Sequence, residues 1–400
     1  MDSSRITYTY ENRSDAPMEL WLSAAPGTTD IQFTHVEPSH EEAHPFLGEL
    51  FYFRLDAKES LRYEANYSSP RASALTEEAR QYFLRNSALV PVDEGTKQKA
   101  EQITIDASTV KEKVFAIFSH VKESFRYSSQ IKGRGTGITL NTGKGDCGEL
   151  SAMIASYCRS LGIPARVMVG AFKGSFQPHA WNEVYIEEEG WMPLDVSVSM
   201  YTFFRHPLRN IGSIVRWGAF RNRARYFGEI ESGRVVFSID PERELTPAYI
   251  DREDPTASMT FPVGGEEFPW GQESLDGKAP YMQPIYPRLN GELTKIKQRD
   301  VLGSFRVKSN QLIDYVTSQT KIFAFTIAAA LIYLSIGLNL FNIALPSMFE
   351  TVLSGATVVA LGIFSLLTLI RREFNVPLLI LCVLFAFSML SFIMGLITSA

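Results

Sequence analysis

The last fifth of the chain is almost without charge. Of the 39 basic and 44 acidic residues in the 400-residue chain, only two of each lie after Lys321. A purely soluble protein is excluded by such a segment. The first 321 residues carry ordinary charge and aromatic content, which excludes a disordered or fibrous chain.

Cysteine is also scarce. Cys147, Cys158 and Cys382 are too few for a disulfide framework, and Cys382 lies in an apolar run. Unpaired thiols suit a reducing compartment. The net charge of -5 gives no reason to expect nucleic acid as the main partner.

Three uncharged runs predict three membrane spans: Ile322 to Leu345, Thr351 to Ile370 and Asn375 to Ala400. The first run of 24 residues would extend about 36 Å as a helix, enough for a hydrocarbon core of roughly 30 Å. A buried helical core of a soluble domain is the less favoured alternative, because no run shows a polar face at helical spacing.

Basic residues near the predicted spans indicate an orientation. Arg306, Lys308 and Lys321 precede the first span, and Arg371 and Arg372 join the second to the third. The opening residues show no signal-peptide pattern. The positive-inside rule then predicts a protein of the cell (inner) membrane with its large N-terminal part in the cytoplasm.

Apolar patterning changes along the first 320 residues. Up to Ser68, short β-prone runs separated by turn residues predict a small antiparallel, sandwich-like β domain. Apolar steps of three and four from Ser108 predict an amphipathic helix and a second domain, and six prolines between Pro255 and Pro287 predict a linker. The predicted parts are a β domain at 1–75, an α+β core at 76–250, a Pro/Gly-rich linker and juxtamembrane segment at 251–320, and three spans at 321–400.

The most informative residues surround Cys147. Asp146 and Glu149 have the spacing of a capping box, and apolar residues follow at helical spacing, so Cys147 is predicted at a helix N-terminus. Unpaired N–H groups and the helix dipole at that end favour the thiolate form of Cys147. We therefore expect a lowered thiol pKa, although the charges of Asp146 and Glu149 oppose this in part.

His179 and Asp195 complete a catalytic pattern. His179 opens an alternating run typical of a strand, and Asp195 ends the next run after a turn at residues 187–190. An antiparallel hairpin would return Asp195 to His179. With Cys147 on an adjoining helix, the three side chains would act as nucleophile, general base and orienting carboxylate, and backbone N–H groups at the helix start would face the oxyanion.

Four motifs resemble the core of the transglutaminase-like superfamily. They are Gly-Asp-Cys147-Gly-Glu-Leu, Leu161-Gly-Ile-Pro-Ala-Arg166, His179-Ala-Trp and Gly190-Trp-Met-Pro-Leu-Asp195. This superfamily has microbial members, and the resemblance to it implies a papain-like α+β fold. It also assigns Cys147, His179 and Asp195 to a Cys-His-Asp triad.

The resemblance implies acyl transfer from an amide or peptide bond through a thioester at Cys147. We expect a protein or peptide substrate and no cofactor, with hydrolysis favoured over protein cross-linking because no second substrate site is legible. A catalytically inactive membrane scaffold is the alternative, and the intact triad favours an enzyme. No motif places a side-chain oxyanion donor or a calcium site.

Other conspicuous residues lie outside the predicted triad. Cys158, in the middle of the predicted helix, is expected to be structural. Trp181 and Trp191 are expected in the core beside the site, with substrate contact as the alternative. The His40 to His44 stretch has the pattern of a zinc protease helix, but Pro38 and Pro45 confine it to six residues, so no metal site is predicted.

An arginine-rich stretch follows Asp195. Residues 196–228 contain no acidic residue but six arginines among large apolar residues: Arg205, Arg209, Arg216, Arg221, Arg223 and Arg225. A solvated basic face is one interpretation. The other is a membrane-surface segment, with Arg216, Arg221, Arg223 and Arg225 on the anionic leaflet. RNA binding is a poorer third choice, because no recognised module accompanies the arginines.

Overall fold

A computed structural model gives the fold of two compact units, residues 1–200 with 222–310 and residues 201–221 with 311–400. The structure describes residues 3–69, 75–129, 131, 134–174, 177–200, 212, 215, 226–230, 234–249, 262–263, 266–267, 277–288, 301–371 and 373, with scattered positions between 380 and 394.

The first unit opens with a β sandwich. Its two antiparallel four-stranded sheets have the orders β16-β1-β6-β3 and β15-β2-β5-β4. Alternate residues of β1, namely Ile6, Tyr8 and Tyr10, point into an apolar core that residues of both sheets share. The strands are β1 (Ser3–Glu11), β2 (Met18–Ala24), β3 (Thr28–Thr34), β4 (His40–His44), β5 (Gly48–Leu55), β6 (Ser60–Ser68), β15 (Ile285–Arg288) and β16 (Ser304–Ser309).

Two of these strands come from the segment predicted as a linker. β16 pairs with β1, and β15 pairs with β2. The linker prediction for residues 251–320 is therefore wrong for 285–288 and 304–309. Pro287 fits β15 because this strand lies at a sheet edge, where a missing N–H costs no ladder bond on the open side.

The second part of this unit has a central antiparallel sheet of order β11-β10-β9-β12. Its helices are α1 (Glu77–Tyr82), α2 (Glu94–Ile103), α3 (Val110–Ser124), α4 (Thr136–Thr142), α5 (Cys147–Ser160) and α6 (Val196–Ser199). Its strands are β7 (Arg126–Tyr127), β8 (Lys144–Gly145), β9 (Ala165–Phe172), β10 (Pro178–Ile186), β11 (Gly190–Leu194) and β12 (Arg234–Ile239), followed by β13 (Pro262–Val263) and β14 (Glu266–Glu267). The predicted amphipathic helix is α3, capped by Thr109 and Glu112.

Helix α5 is the buried centre of this part. Every residue from Gly148 to Ser160 is buried. Leu150, Ile154 and Val169 belong to a core that also includes α3 and β10. This packing fixes the N-terminus of α5 against the central sheet.

The second unit contains α7 (Leu312–Leu340) and α8 (Ser347–Ile370), both long and apolar enough to cross a membrane by length and composition. The described residues therefore hold two candidate spans and not the predicted three. The third prediction, 375–400, lies largely outside the described residues. Helix α7 begins at Leu312, ten residues before the predicted span. The charged side chains of Asp314 and Lys321 end the uncharged run in the sequence, but they do not break the helical backbone.

Candidate active site

Cys147 is the first residue of α5, as predicted. Asp146 is the N-cap, and its Oδ1 accepts a hydrogen bond from the Gly148 N–H at 2.7 Å. Capping by a short acidic side chain is the reason that the helix begins at the cysteine. Glu149, predicted as the other half of a capping box, instead lies fully buried beside Asp146.

His179 and Asp195 meet through the predicted hairpin. β10 and β11 pair antiparallel, with Asn182 opposite Leu194. The His179 Nε2 lies 2.8 Å from Asp195 Oδ2. The other carboxylate oxygen, Oδ1, accepts bonds from the Ser197 hydroxyl at 2.9 Å and the Val198 N–H at 3.0 Å. Asp195 is thus held on both sides while it faces the imidazole.

Arg234, which sequence reasoning did not single out, also binds this carboxylate. Its Nη1 lies 2.7 Å from Asp195 Oδ2. The guanidinium lies 4.5 Å from the Phe172 ring centroid and 5.0 Å from that of Trp181. Its sequence signal is an arginine at the start of a strand in which four of the other five residues are apolar.

The side chains of Cys147 and His179 share one small cavity. Its volume is about 30 Å³, and its lining residues are Arg134, Asp146, Cys147, Gly148, Val169, Pro178, His179, Ala180, Tyr281 and Gln283. Asp195 lies behind His179. The structure therefore brings the three predicted residues together, with the cysteine and histidine facing the same space.

Residues 97–196 match the family model of the transglutaminase-like superfamily. These residues are a transglutaminase-like core. The recognition made from the four motifs is confirmed, and Arg234, Tyr281 and Gln283 come from chain that follows the matched segment.

A curated relative and two solved structures are similar to parts of the chain. A protein-glutamine gamma-glutamyltransferase of Pseudomonas aeruginosa is 27% identical over 145 residues, which is 32% of this chain and 18% of the relative. This chain thus spans less than a fifth of that protein's length. A structure described as a candidate cysteine protease from Cytophaga hutchinsonii has a TM-score of 0.41 at 17% identity, covering 49% of this chain and 76% of that one. The periplasmic domain of TgpA from P. aeruginosa has a TM-score of 0.34 at 16% identity, covering 51% and 92%.

The thiol of the transglutaminase-like core is not the low-pKa group that its helix position predicts. Burial raises the pKa of Cys147 well above its usual value, and the Asp146 charge adds to this, while a hydrogen bond from the Ala180 N–H acts in the opposite direction. The prediction of a lowered pKa is wrong because it ignored the closed surroundings. The cysteine is a neutral thiol at physiological pH, so its proton must be removed by a base.

Glu149, which lies beside the cysteine, is buried between a carboxyl group and a guanidinium. Burial and the neighbouring Asp146 raise the pKa of Glu149 well above its usual value, and Arg134 acts in the opposite direction. The Arg134 Nη1 lies 3.6 Å from Glu149 and 3.7 Å from Asp146. The charged form of Glu149 is therefore disfavoured by burial and by Asp146 and favoured by Arg134.

Burial, His179 and Arg234 together set the state of Asp195. Burial alone would raise its pKa, but the charges of His179 and Arg234 outweigh this and hold the pKa far below its usual range. The residue stays an acceptor-only carboxylate, so the proton shared with His179 is carried on Nε2. This leaves Nδ1 as the basic nitrogen of the ring.

Trp181 lies in the core, the partly buried Trp191 packs against that core, and neither ring lines the described cavity. Trp181 is 2% exposed. Trp191 packs under the Arg166 guanidinium, 4.0 Å from the ring centroid. Substrate contact by either ring stays a prediction that this placement does not support. Cys158 is fully buried in α5, in agreement with a structural role.

The His40–His44 stretch and the arginine-rich stretch are the two remaining features singled out in the sequence. His40–His44 is strand β4, so the helical zinc motif does not form; no group of metal-binding side chains occurs among the residues described. Arg216, Arg221, Arg223 and Arg225 lie outside the described residues. Within that stretch Val215 is described, and it packs with Ala324 and Phe364 of the second unit.

Proposed function

We propose that the protein is a membrane-anchored cysteine enzyme that acts on amide or peptide bonds through a thioester at Cys147. Cys147 is the nucleophile, His179 the general base and Asp195 the orienting carboxylate. The observation that carries the proposal is the single cavity shared by Cys147 and His179, with His179 bonded at 2.8 Å to a buried, ionised Asp195. This arrangement supplies the three roles of triad chemistry.

Acylation begins when His179 Nδ1 takes the thiol proton. The sulfur attacks the carbonyl carbon, the C=O electron pair moves to oxygen, and its return breaks the C–N bond as the imidazolium protonates the leaving amine. Asp195 stabilises that imidazolium without receiving its proton. The product of this half-reaction is a thioester on Cys147.

The fate of the thioester distinguishes two candidate reactions. Hydrolysis is our first choice, because water needs no binding site of its own and the assigned residues serve only the acyl side. The P. aeruginosa relative bears the name of a transferase acting on protein glutamine, which makes transfer to an amine the second candidate. Both reactions use a protein or peptide substrate and require no cofactor.

A catalytically inactive transglutaminase-like scaffold is the alternative in another class. A scaffold has no need of an ionised aspartate, 1% exposed, aligned on a histidine beside a cysteine. Burying such a charge costs stability unless it is paired. The stability cost of burying this charge favours an enzyme over an inactive scaffold.

Membrane anchoring by α7 and α8 is part of the proposal. Their length and apolar composition support it, and only 11% and 28% of their most apolar windows are buried. We propose the cytoplasmic side for the catalytic part from the distribution of Lys and Arg. The solved TgpA domain is described as periplasmic, so that comparison does not support the cytoplasmic side.

Two reagents test the enzyme proposal on the full chain in detergent. Iodoacetamide should modify Cys147 far faster than Cys158, which is fully buried in α5. The activated ester 4-nitrophenyl acetate should give a burst of nitrophenolate and an acetylated Cys147, seen by mass spectrometry. Cys147→Ala should abolish both signals, whereas the matched Cys158→Ala should keep them. Equal alkylation of both cysteines, with no burst, would support the scaffold instead.

A further inference from the structure

A buried tyrosine hydroxyl faces the cavity without a hydrogen-bond partner. Tyr281 is 4% exposed, and its hydroxyl oxygen makes no hydrogen bond with the described part of the chain. The ring lines the same cavity as Cys147 and His179. Buried polar groups are normally bonded, so an unbonded hydroxyl at this position calls for an explanation.

The hydroxyl lies over the first turn of α5. A Cβ atom added to Gly148 would stand 3.3 Å from the Tyr281 hydroxyl oxygen and 3.2 Å from the ring carbon that bears it. Glycine at this position therefore lets the tyrosine approach the helix N-terminus closely. The hydroxyl reaches the end of the helix where the nucleophile begins.

Backbone donors at that end are fewer than the sequence predicts. The Gly148 N–H, the second of the helix, is already bonded to Asp146 Oδ1 at 2.7 Å. Of the first two N–H groups, only that of Cys147 is left for a developing oxyanion. Oxyanion holes of acyl-transfer sites combine backbone N–H groups with side-chain donors, so a side chain that lines the cavity is the candidate for a second donor.

Tyr281 can only act as a neutral donor. Burial raises the pKa of its hydroxyl well above the usual value, and the neighbouring Glu149 and Asp146 add to the effect. A phenol that keeps its proton donates a hydrogen bond without giving up the proton.

We infer that the Tyr281 hydroxyl, together with the Cys147 N–H, donates a hydrogen bond to the substrate carbonyl oxygen as it becomes an oxyanion. The inference rests on the proposed function of Cys147. As the S–C bond forms, the C=O pair moves to oxygen and is stabilised there. When the pair returns, the C–N bond breaks and the amine leaves with the proton from His179. Tyr281 exchanges no proton in either step and is a catalytic residue by contact with the reacting oxygen.

Gln283 is the rival donor. It lines the same cavity, and its side-chain Oε1 is also buried without a hydrogen-bond partner in the described chain. Its Oε1 and Nε2 can exchange places by rotation of the amide, so it too could present an N–H. The experiment must separate the two residues.

Alkylation and acylation of the same sulfur provide the test. Iodoacetamide reacts by displacement at a saturated carbon and forms no oxyanion, whereas 4-nitrophenyl acetate forms one. In the full chain, Tyr281→Phe should lower the rate of ester acylation by about 10² or more and leave the alkylation rate of Cys147 unchanged. Tyr157→Phe is the matched control, because Tyr157 is buried in the same core but does not line the cavity; it should change neither rate.

Three results would overturn the inference. A parallel fall of both rates in Tyr281→Phe would show a structural role, and a parallel rise would show that the tyrosine covers the thiol. Unchanged acylation in Tyr281→Phe, with a loss in Gln283→Met, would assign the donor to Gln283. Failure of the proposed function is distinct, because the wild-type protein would then give no acylation at Cys147.

Discussion

At the scale of single residues, the ion pair of Arg234 with Asp195 explains how the candidate triad keeps a charge in its interior. The Arg234 and Asp195 side chains are 4% and 1% exposed, and the same Oδ2 atom faces both Arg234 and His179. One carboxylate between the Arg234 guanidinium and the His179 ring stays ionised where burial alone would favour its neutral form. Arg234 is therefore a positioning residue that acts on His179 through Asp195.

Replacing Arg234 by Met tests this role. At pH 7 we expect Arg234→Met to lower the free energy of unfolding by about 3 kcal/mol, at the lower end for a broken buried pair because His179 still faces Asp195. Ester acylation should also slow, since a less firmly held Asp195 orients His179 less well. Urea unfolding of the full chain in detergent, followed by tryptophan fluorescence, measures the first effect.

The pH dependence of that difference has a definite sign. The folded-state pKa of Asp195 is depressed, so its contribution to stability is present above the unfolded pKa of about 3.9 and is lost as pH falls through the folded pKa. The gap between wild type and Arg234→Met should therefore shrink below about pH 4. Arg166→Met is the control, because Arg166 also stacks on a tryptophan but pairs with the more exposed Glu183. A gap that does not change with pH would contradict the role of Asp195 ionisation.

Local rules predicted part of the site and missed the rest for a physical reason. Cys147 and the His179–Asp195 pair obey short-range patterns, a helix cap and a hairpin, that can be read from neighbouring residues. Arg234 and Tyr281 arrive from strands and loops 39 and 134 positions beyond their partners Asp195 and Cys147. No spacing rule encodes such contacts, and burial, which reversed the expected pKa of Cys147, also appears only in three dimensions.

At the scale of elements, the two late strands show where the pattern was misread. β16 alternates buried and exposed residues, with Phe305, Val307 and Ser309 inward. Its six residues look like any short polar segment until β1, nearly 300 positions earlier, is placed beside them. The prolines of the predicted linker were read correctly as breakers of central strands, but edge strands tolerate them.

Substitutions in β16 distinguish a structural strand from a linker. Val307 is 3% exposed, so Val307→Ala should lower the free energy of unfolding by roughly 2 kcal/mol through lost burial and an unfilled cavity. Arg306, its outward neighbour on the same strand, is the control, and Arg306→Ala should change stability by less than about 0.5 kcal/mol. If both substitutions change the urea midpoint equally little, residues 304–309 are a linker and not a structural strand.

At the scale of the whole molecule, composition predicted an apolar C-terminal region but not where its helices begin. α7 and α8 are joined by ion pairs at one end, Arg371 with Asp314 at 2.8 Å and Lys321 with Glu373. Lys321 is fully buried despite its charge. A hydropathy pattern ends a span at such a residue. The carboxylate of Glu373, three residues after the end of α8, allows the charge of Lys321 to be buried.

The number of spans decides on which side each end of the chain lies. With α7 and α8 alone, the chain after Arg372 returns to the side of the N-terminal domains; a third span over residues 375–400 would place Ala400 on the opposite side. Fusions of alkaline phosphatase, active only outside the cytoplasm, and of green fluorescent protein at the N-terminus, after Arg372 and after Ala400 measure this. We expect fluorescence for the first two fusions and phosphatase activity for the third, following the Lys and Arg distribution.

Reversing the charges of the connecting segment provides the matched variant for this topology. Arg371→Glu with Arg372→Glu removes the basic residues between the second and third predicted spans, which should weaken the orientation bias and divide the reporter signals between the two sides. Lys144→Glu is the control, because Lys144 is an exposed residue of the N-terminal unit, away from the apolar runs. It should leave the reporter signals unchanged. Phosphatase activity at the N-terminus of the wild-type chain would place the candidate active site outside the cytoplasm. In that case the transglutaminase-like core would meet extracytoplasmic proteins or peptides. Lys321 and Arg371 would then owe their positions to their ion pairs with Glu373 and Asp314 and not to membrane orientation.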